Sequence, residues 1–423
     1  MSFLVLLLVL AGTFGFYAAW SIGANDVANA VGTSVGSGAL SLKKAVLLAI
    51  IFESAGAFFL GGKVAGTIEY RIVGADLTSI DPMNFVYGML AALLATGGWL
   101  QIATFFKCPV STTQAVIGAV IGFGIAVGNG FVVYWGYVGS IVLGWIISPL
   151  LGGCCAYAIF SLIRKQVLYK TDPVNAMRRL APTLVTALFV ILTGIILFKD
   201  DHRIFSGIVL MAILLVIGSV SFFSTKFLLR NFSLETIQNI MEKKNKKVSK
   251  RETYYSEVER IFGYLQVITA CFMAFGHGSN DVANAIGPVS AIFKILKPSW
   301  NAPWVGTLLL GMGGIGIVVG LVTWGWRVIE TVGKTITELT PSRGFAAGFG
   351  SALTVVLASK IGLPISTTHV VVGSVLGVGF ARGIKALNMN VVRDIFVSWV
   401  ITVPVSALLS MMCFLALKYI LGQ

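Results

Sequence analysis

Apolar stretches of roughly membrane-spanning length recur along this chain from Leu4 to Leu417. A helix crosses the ~30 Å hydrocarbon layer of a bilayer with about 20 residues. Within lipid only helices and closed barrels satisfy their own backbone hydrogen bonds, so the recurrence dictates an all-α polytopic membrane protein. Twelve transmembrane crossings are predicted, over residues 3–23, 45–67, 83–106, 112–126, 133–163, 181–198, 204–223, 261–280, 304–326, 344–358, 366–380 and 395–417. The fourth and eleventh are short, which predicts tilted or re-entrant geometry near their starts. Charged residues make up 11% of the 423, against about 25% in soluble domains, so no large globular module is expected.

The formal charge of +14 would suggest nucleic acid in a soluble protein. In a membrane protein it reflects cytoplasmic loops enriched in Lys and Arg, and no nucleic-acid partner is expected. Arg164, Lys165, Lys170, Arg178 and Arg179 follow the fifth crossing, and the run Lys243 to Lys250 follows the seventh. Two crossings apart, both segments share the cytoplasmic side. Working outward puts Lys43, Lys44, Lys107, Arg327, Lys334, Arg343, Arg382 and Lys385 inside. The acidic segment Glu69 to Asp81 and both termini then fall outside a multi-pass protein of the cell (inner) membrane. The Lys-rich run reads as a solvated linker, with a lipid-headgroup patch as the alternative. Cys108, Cys154, Cys155, Cys271 and Cys413 show no metal-type spacing and predict no disulfide framework.

NDVANA at residues 25–30 recurs unchanged at 280–285, and PVSTT at 109–113 recurs as PISTT at 364–368, both with an offset of 255 residues. Two separate motifs that keep one offset mark the halves as copies. Seven predicted crossings separate equivalent points, and an odd number turns the second copy upside down. The expected organisation is a first repeat over 1–165, a linker over 166–260 with two transmembrane helices and a basic cytoplasmic loop, and an inverted second repeat over 261–423. Inverted repeats can exchange conformations around one central site, although a symmetric channel would share the symmetry. The first apolar segment is expected to be retained, since its loss would strip membrane support from Asn25 and Asp26.

Carboxylates in apolar passes are costly and normally face a partner or a wet cavity. Asp26 and Asp281 stand in GANDVANAVG and GSNDVANAIG. The bracketing Gly23, Gly32, Gly278 and Gly287 let a helix break or approach a neighbour closely, and a break would free backbone carbonyls. Oxygens of Asp and Asn suit a hard monovalent cation, with no thiol or imidazole pair for a transition metal. In each PxSTT motif Pro ends an incoming segment and Ser or Thr caps the next helix. Each therefore reads as a half-helix N-terminus whose free N–H groups and hydroxyls attract an anion. If the copies pack face to face, cation and anion loops converge, and the anion fits well only when cations screen the aspartates. Glu53 is a further acidic residue in an apolar pass, read as a cation ligand rather than a partner of Lys63, with Leu308 at the motif offset. His277, where the first copy has Ile22, reads as a hydrogen-bonded spectator or a proton carrier. His369 stands where the first copy has Gln114.

GANDVANAVGTSVGSG with IFESAG, and GSNDVANAIG with LPISTTH, resemble the inorganic phosphate transporter (PiT) family over nearly the whole chain. The resemblance implies a secondary active symporter that imports phosphate with sodium, and no enzyme activity. A proton-coupled phosphate or sulfate permease is the alternative within the resemblance. It assigns Asn25, Asn280, Ser111, Thr112, Thr113, Ser366, Thr367 and Thr368 to phosphate, and Asp26, Asn29, Asp281, Asn284 and Glu53 to sodium. Sodium is then a co-substrate, with no cofactor. Animal relatives carry a glutamate where this chain has Gly348, which leaves Glu53 without an acidic mate. No ATP motor is expected, since Val328 stands where a P-loop before Gly333, Lys334 and Thr335 needs glycine. An intramembrane aspartyl protease would use the two aspartates but leave the STT motifs unexplained, and a passive anion channel is a third reading. Oligomeric state is open, a homodimer included.

Overall fold

The structure is a computed structural model that describes residues 3–70, 81–128, 133–198, 207–230, 250–300, 303–329, 338–383, 385 and 387–422. The 199–203 loop, residues 71–80 of the acidic segment, the basic run 243–249 and Lys334 with Thr335 lie outside the described residues.

Among the described residues, twelve α-helices fall on the twelve expected stretches. They are α1 (Phe3–Gly36), α2 (Leu42–Tyr70), α3 (Pro82–Phe105), α4 (Thr112–Gly128), α5 (Trp135–Ile163), α6 (Pro173–Leu197), α7 (Gly207–Arg230), α8 (Lys250–Leu296), α9 (Pro303–Trp324), α10 (Pro341–Lys360), α11 (Thr367–Arg382) and α12 (Met389–Leu421). Nine of them are long and apolar enough to cross a membrane among the described residues. The other three are α4, α10 and α11, and α4 and α11 are the two short stretches for which tilted or re-entrant geometry is expected. At 17 and 16 residues, α4 and α11 reach only about 25 Å. The 20 residues of α10 include Ser342, Arg343, Ser351, Thr354, Ser359 and Lys360. These three helices shelter inside protein rather than facing lipid along their length.

Local chemistry sets the helix starts. Asp81 and Asp172 each precede a proline at the first helical position, and their carboxylates accept from the backbone N–H of Asn84 and Asn175, at 3.0 and 3.1 Å. Ser111 and Ser366 cap α4 and α11, accepting from the N–H of Gln114 at 3.2 Å and of His369 at 3.1 Å. The turns leading to them match too. Lys107 has φ 58° and Gly362, 255 residues later, has φ 70°. The first copy therefore holds a lysine in the left-handed region that the second fills with glycine.

The helices do not break at the NDVANA motifs. Both α1 and α8 run unbroken through them, so the expected release of backbone carbonyls there does not occur. The bracketing glycines serve close approach instead. A Cβ on Gly23 would lie 1.9 Å from the Ile317 carbonyl oxygen, and one on Gly278 would lie 2.1 Å from that of Glu53. On the facing helices, Gly56 meets the Phe275 carbonyl and Gly320 meets that of Trp20, each at 1.9 Å. Phe275 follows Trp20 by 255 residues, whereas Gly320 follows Gly56 by 264. The counterpart of Glu53 is therefore Ile317 and not Leu308, because the second copy is longer before α9 and regains the register before α10.

Packing pairs recur between the copies. Helix α2 lies along α8 as α9 lies along α1, α10 packs on α8 as α3 packs on α1, and α5 meets α11 as α12 meets α4. Helix α6 pairs with α7, of which only Thr225 and Leu229 are buried. Leu143, Ile147 and Leu150 on α5 and Val400 and Leu408 on α12 are exposed, as a lipid-facing surface requires.

Candidate functional site

The two NDVANA helices and the two STT helix starts meet at one buried place. Asn25, Asp26, Asn29, Asn280, Asp281, Asn284, Ser111, Thr112, Thr113, Ser366, Thr367 and Thr368 are each at most 2% exposed. In hydrocarbon every such group needs a partner, and the partners come in duplicate. Thr112 donates to the Asp26 carboxylate, and Thr367 donates to that of Asp281 at 2.9 Å. Asn25 donates to the Thr104 hydroxyl at 2.9 Å and the Cys108 carbonyl at 3.2 Å. Asn280 donates to Ser359 at 3.4 Å and the Leu363 carbonyl at 3.3 Å.

A second set of bonds joins one copy to the other. Asn29 on α1 donates to Thr367 and Thr368 at 3.3 and 2.8 Å, while Asn284 on α8 donates to Thr113 at 3.2 Å. Thr113 donates to the Ile365 carbonyl at 2.9 Å, and Thr368 donates to that of Val110 at 3.1 Å. Thr368 also lies 3.5 Å from the Asp26 carboxylate. Each anion-attracting helix start is thereby held by groups of the other half.

The symmetry fails at one corner, and there the polarity concentrates. His277 Nδ1 is 3.0 Å from Glu53 Oε1, and its Nε2 is 3.0 Å from Asp281 Oδ2. The equivalent positions in the other half are Ile22 and Ile317. Lys63 instead donates to the Lys360 carbonyl at 3.2 Å, so the partner of Glu53 is a histidine from another helix. Asp26, His277 and Asp281 bring one ligand atom each within 4.8 Å of one another. Two ionised carboxylates at about 5 Å repel by about 3 kcal/mol at an effective dielectric of about 20, so Asp26 and Asp281 can both stay ionised only with positive charge beside them. Glu53 Oε2, Asn280 Oδ1 and Asn284 Oδ1 are buried with no hydrogen-bond partner among the described residues. All three are lone-pair oxygens, the donor type that fits a hard cation.

The sequence did not point to Thr104 and Ser359, which hold the two motif asparagines. Their equal 255-residue spacing was the available signal, but neither hydroxyl stands in a repeated motif that would draw attention to it.

Opposed carboxylates and hydroxyl-capped helix starts, buried together among apolar helices, are the groups a membrane carrier of small ions needs. The chain belongs to the phosphate transporter family, whose profile matches residues 22–410. It is similar to a solved structure described as the sodium-dependent phosphate transporter, with a TM-score of 0.86 and 38% identity, over 98% of this chain and 99% of that one. A protein of Chlamydia pneumoniae, named as a candidate phosphate permease, is 52% identical over 96% of each chain. The inorganic phosphate transporter 2-1, chloroplastic, of Arabidopsis thaliana is 41% identical over 94% of this chain and 70% of its own. The chain is thus a multi-pass membrane transporter of inorganic phosphate, and the protease reading is set aside.

Proposed function

We propose that this chain imports phosphate together with sodium by alternating access around the buried chamber. The observation that carries the reading is the convergence of both Asp–Thr pairs and both crossed Asn–Thr pairs in one place, beside three buried oxygens with no hydrogen-bond partner among the described residues. Sodium would be held by Asp26, Asn29, Asp281, Asn284 and Glu53. Phosphate would be held by Asn25, Asn280 and the hydroxyls and N–H groups of Ser111, Thr112, Thr113, Ser366, Thr367 and Thr368. Coupling follows from electrostatics: a phosphate beside two ionised aspartates is repelled unless cations lie between them.

The repeats over 1–165 and 261–423, with the linker 166–260 carrying α6, α7 and the first turns of α8, would be inverted copies. The duplicated hydrogen bonds, the Lys107 and Gly362 turns and the matched packing pairs support this. Counting each of the α3–α4 and α10–α11 pairs as two crossings or as a re-entrant hairpin leaves the number between copies odd. Counting α3 as a crossing and α4 as none would leave six, an even number, so the inverted reading takes α3 and α4 alike, as two crossings or as the two arms of one hairpin. The enrichment of Lys and Arg in the basic loops supports a cytoplasm on the side of Lys43, Lys44, Arg164 and Lys165, with both termini outside.

The test is phosphate uptake into proteoliposomes under an imposed sodium gradient. Asp26→Asn and Asp281→Asn should each abolish sodium-driven uptake with expression intact; undiminished uptake in both would remove the cation assignment. His277 between Glu53 and Asp281 favours one second reading, proton coupling. A pH gradient that drives uptake without sodium would establish it, and competing sulfate would report anion choice.

A further inference from the structure

The turn that leads into each STT helix carries the same internal bonds in both copies. The N–H of Cys108 donates to the Ala103 carbonyl and that of Leu363 to the Ala358 carbonyl, each at 2.9 Å. The N–H groups of Lys107 and Gly362 donate to the Thr104 and Ser359 carbonyls at 3.0 and 3.1 Å. Each turn is also tied to its own motif helix, since Asn25 holds the Cys108 carbonyl and Asn280 that of Leu363. The two turns share one shape, so a difference in their cover comes from the helices around them.

Their cover does differ. Residues 105–108 are all exposed, whereas Lys360 is 7% exposed and Gly362 and Leu363 are half-buried. On the covered turn, Lys63 of α2 donates to the Lys360 carbonyl at 3.2 Å, and Thr67, one helical turn on, donates to that of Gly362 at 2.7 Å. The residue that matches Lys63 at the 264-residue spacing between α2 and α9 is Arg327. That spacing still holds two residues earlier. A Cβ on Gly61 would meet Val282 at 2.5 Å and one on Gly325 would meet Val27 at 2.4 Å, and these valines stand 255 residues apart. Yet Arg327 does not repeat the bond. Its guanidinium lies over Trp324 and Trp326, 4.8 and 5.4 Å from their ring centroids, and its Nε has no hydrogen-bond partner among the described residues. Thr331, which follows Thr67 by the same spacing, lies outside the described residues, so the basic pair alone distinguishes the two turns.

We propose that Lys63 and Arg327 are alternating latches on the two turns. Lys63 holds the Lys360 carbonyl in the present conformation. In the opposite one it lets go, and Arg327 leaves the tryptophans for the carbonyl of Phe105, which matches Lys360. An ammonium and a guanidinium only donate, so a backbone carbonyl is a partner that either can take. Each bond contributes about as much as one ordinary hydrogen bond, little enough to open at every cycle. The latches rest on the alternating-access reading above, and in its orientation Lys63 closes the outer side while the cytoplasmic side stands open. Both are positioning residues, assigned to neither ion.

The test uses the full chain carrying Leu363→Cys in nanodiscs, which admit reagent from both sides. Residue 363 matches the native Cys108, so the two thiols report the two turns. N-ethylmaleimide adducts at each are quantified by peptide mass spectrometry, and the ratio of labelling at residue 363 to that at Cys108 measures the balance of conformations. Lys63→Met should raise this ratio about fivefold and Arg327→Met should lower it about fivefold, the weight of one hydrogen bond. Lys63→Arg should keep the parental ratio, because a guanidinium can make the same bond. Opposite shifts from two basic-to-methionine changes separate latches from a general loosening, which would move both the same way. An unchanged ratio in Lys63→Met, or shifts of one sign in both variants, would overturn the proposal. Sodium-driven uptake by the parental chain reports on alternating access separately, so uptake with unmoved ratios would sink the latches and leave the transport reading standing.

Discussion

Gly278→Ala tests how the chamber is held together. The added Cβ would lie 2.1 Å from the Glu53 carbonyl oxygen and 2.6 Å from its carbonyl carbon and Cα. Carbon and oxygen do not pack closer than about 3 Å, and the obstacle is helix backbone that cannot rotate aside. Helices α8 and α2 must therefore part by about 1 Å. His277 is the preceding residue, and its 3.0 Å contact with Glu53 would stretch to about 4 Å, outside hydrogen-bond range. Overpacking costs about 1–3 kcal/mol, and a buried carboxylate deprived of its partner costs about 3–5 kcal/mol. Together the low ends of these ranges give a destabilisation of about 4 kcal/mol. The assay is a thermal melt of the purified protein beside sodium-driven phosphate uptake. Gly311→Ala serves as the control, because a Cβ there meets nothing within 4 Å. Gly278→Ala should melt several degrees lower and lose most of its uptake, while Gly311→Ala keeps both. Parental melting and uptake in Gly278→Ala would refute the close-approach argument.

Three further outcomes follow from the same geometry. Lys107→Gly relieves a left-handed lysine and should stabilise the protein by about 1 kcal/mol, seen as a raised melting temperature. Thr113→Val and Thr368→Val each remove a crossed Asn–Thr bond and one proposed anion hydroxyl. Both should raise the half-saturating phosphate concentration by about fivefold or more, since one hydrogen bond contributes about 1 kcal/mol; an unaltered value would count against the anion assignment. His277→Ile leaves Glu53 buried without its partner and should lower the melting temperature. The pair Glu53→Ile with His277→Ile, which copies Ile22 and Ile317 of the other half, should recover most of that loss even though uptake stays impaired; a double-mutant cycle measures the coupling.

The helices were legible because their apolar length and capping chemistry are local. Thr112 and Thr367 open helices where a Pro-x-Ser precedes them, and Ser111 and Ser366 cap as their residue types predict. The duplicated 255-residue offset announced that Asp26 would meet threonines. What stayed hidden depends on neighbours. Gly23 and Gly278 admit a facing backbone rather than a helix break, and nothing in GANDV or GSNDV distinguishes the two outcomes. The match of Glu53 to Ile317 was concealed by the extra length before α9, since the motifs on either side keep their spacing. The bond from Glu53 to His277 joins helices far apart in sequence, and no local pattern encodes it. The shortness of α4 and α11 was visible in the sequence, but the burial of α4, α10 and α11 among the other helices was not, because apolarity alone does not tell lipid from protein surroundings.

The crossed bonds from Asn29 to Thr368 and from Asn284 to Thr113 bear on the ancestry of such a chain. A half produced alone would present an unsatisfied carboxamide and an unsatisfied hydroxyl to oil at the same depth. Asn284 also donates to Asp281 of its own half, but Asn29, Thr113 and Thr368 draw their partners from the other, so on the proposed inverted arrangement a single-repeat forebear would need an oppositely inserted copy of itself beside it.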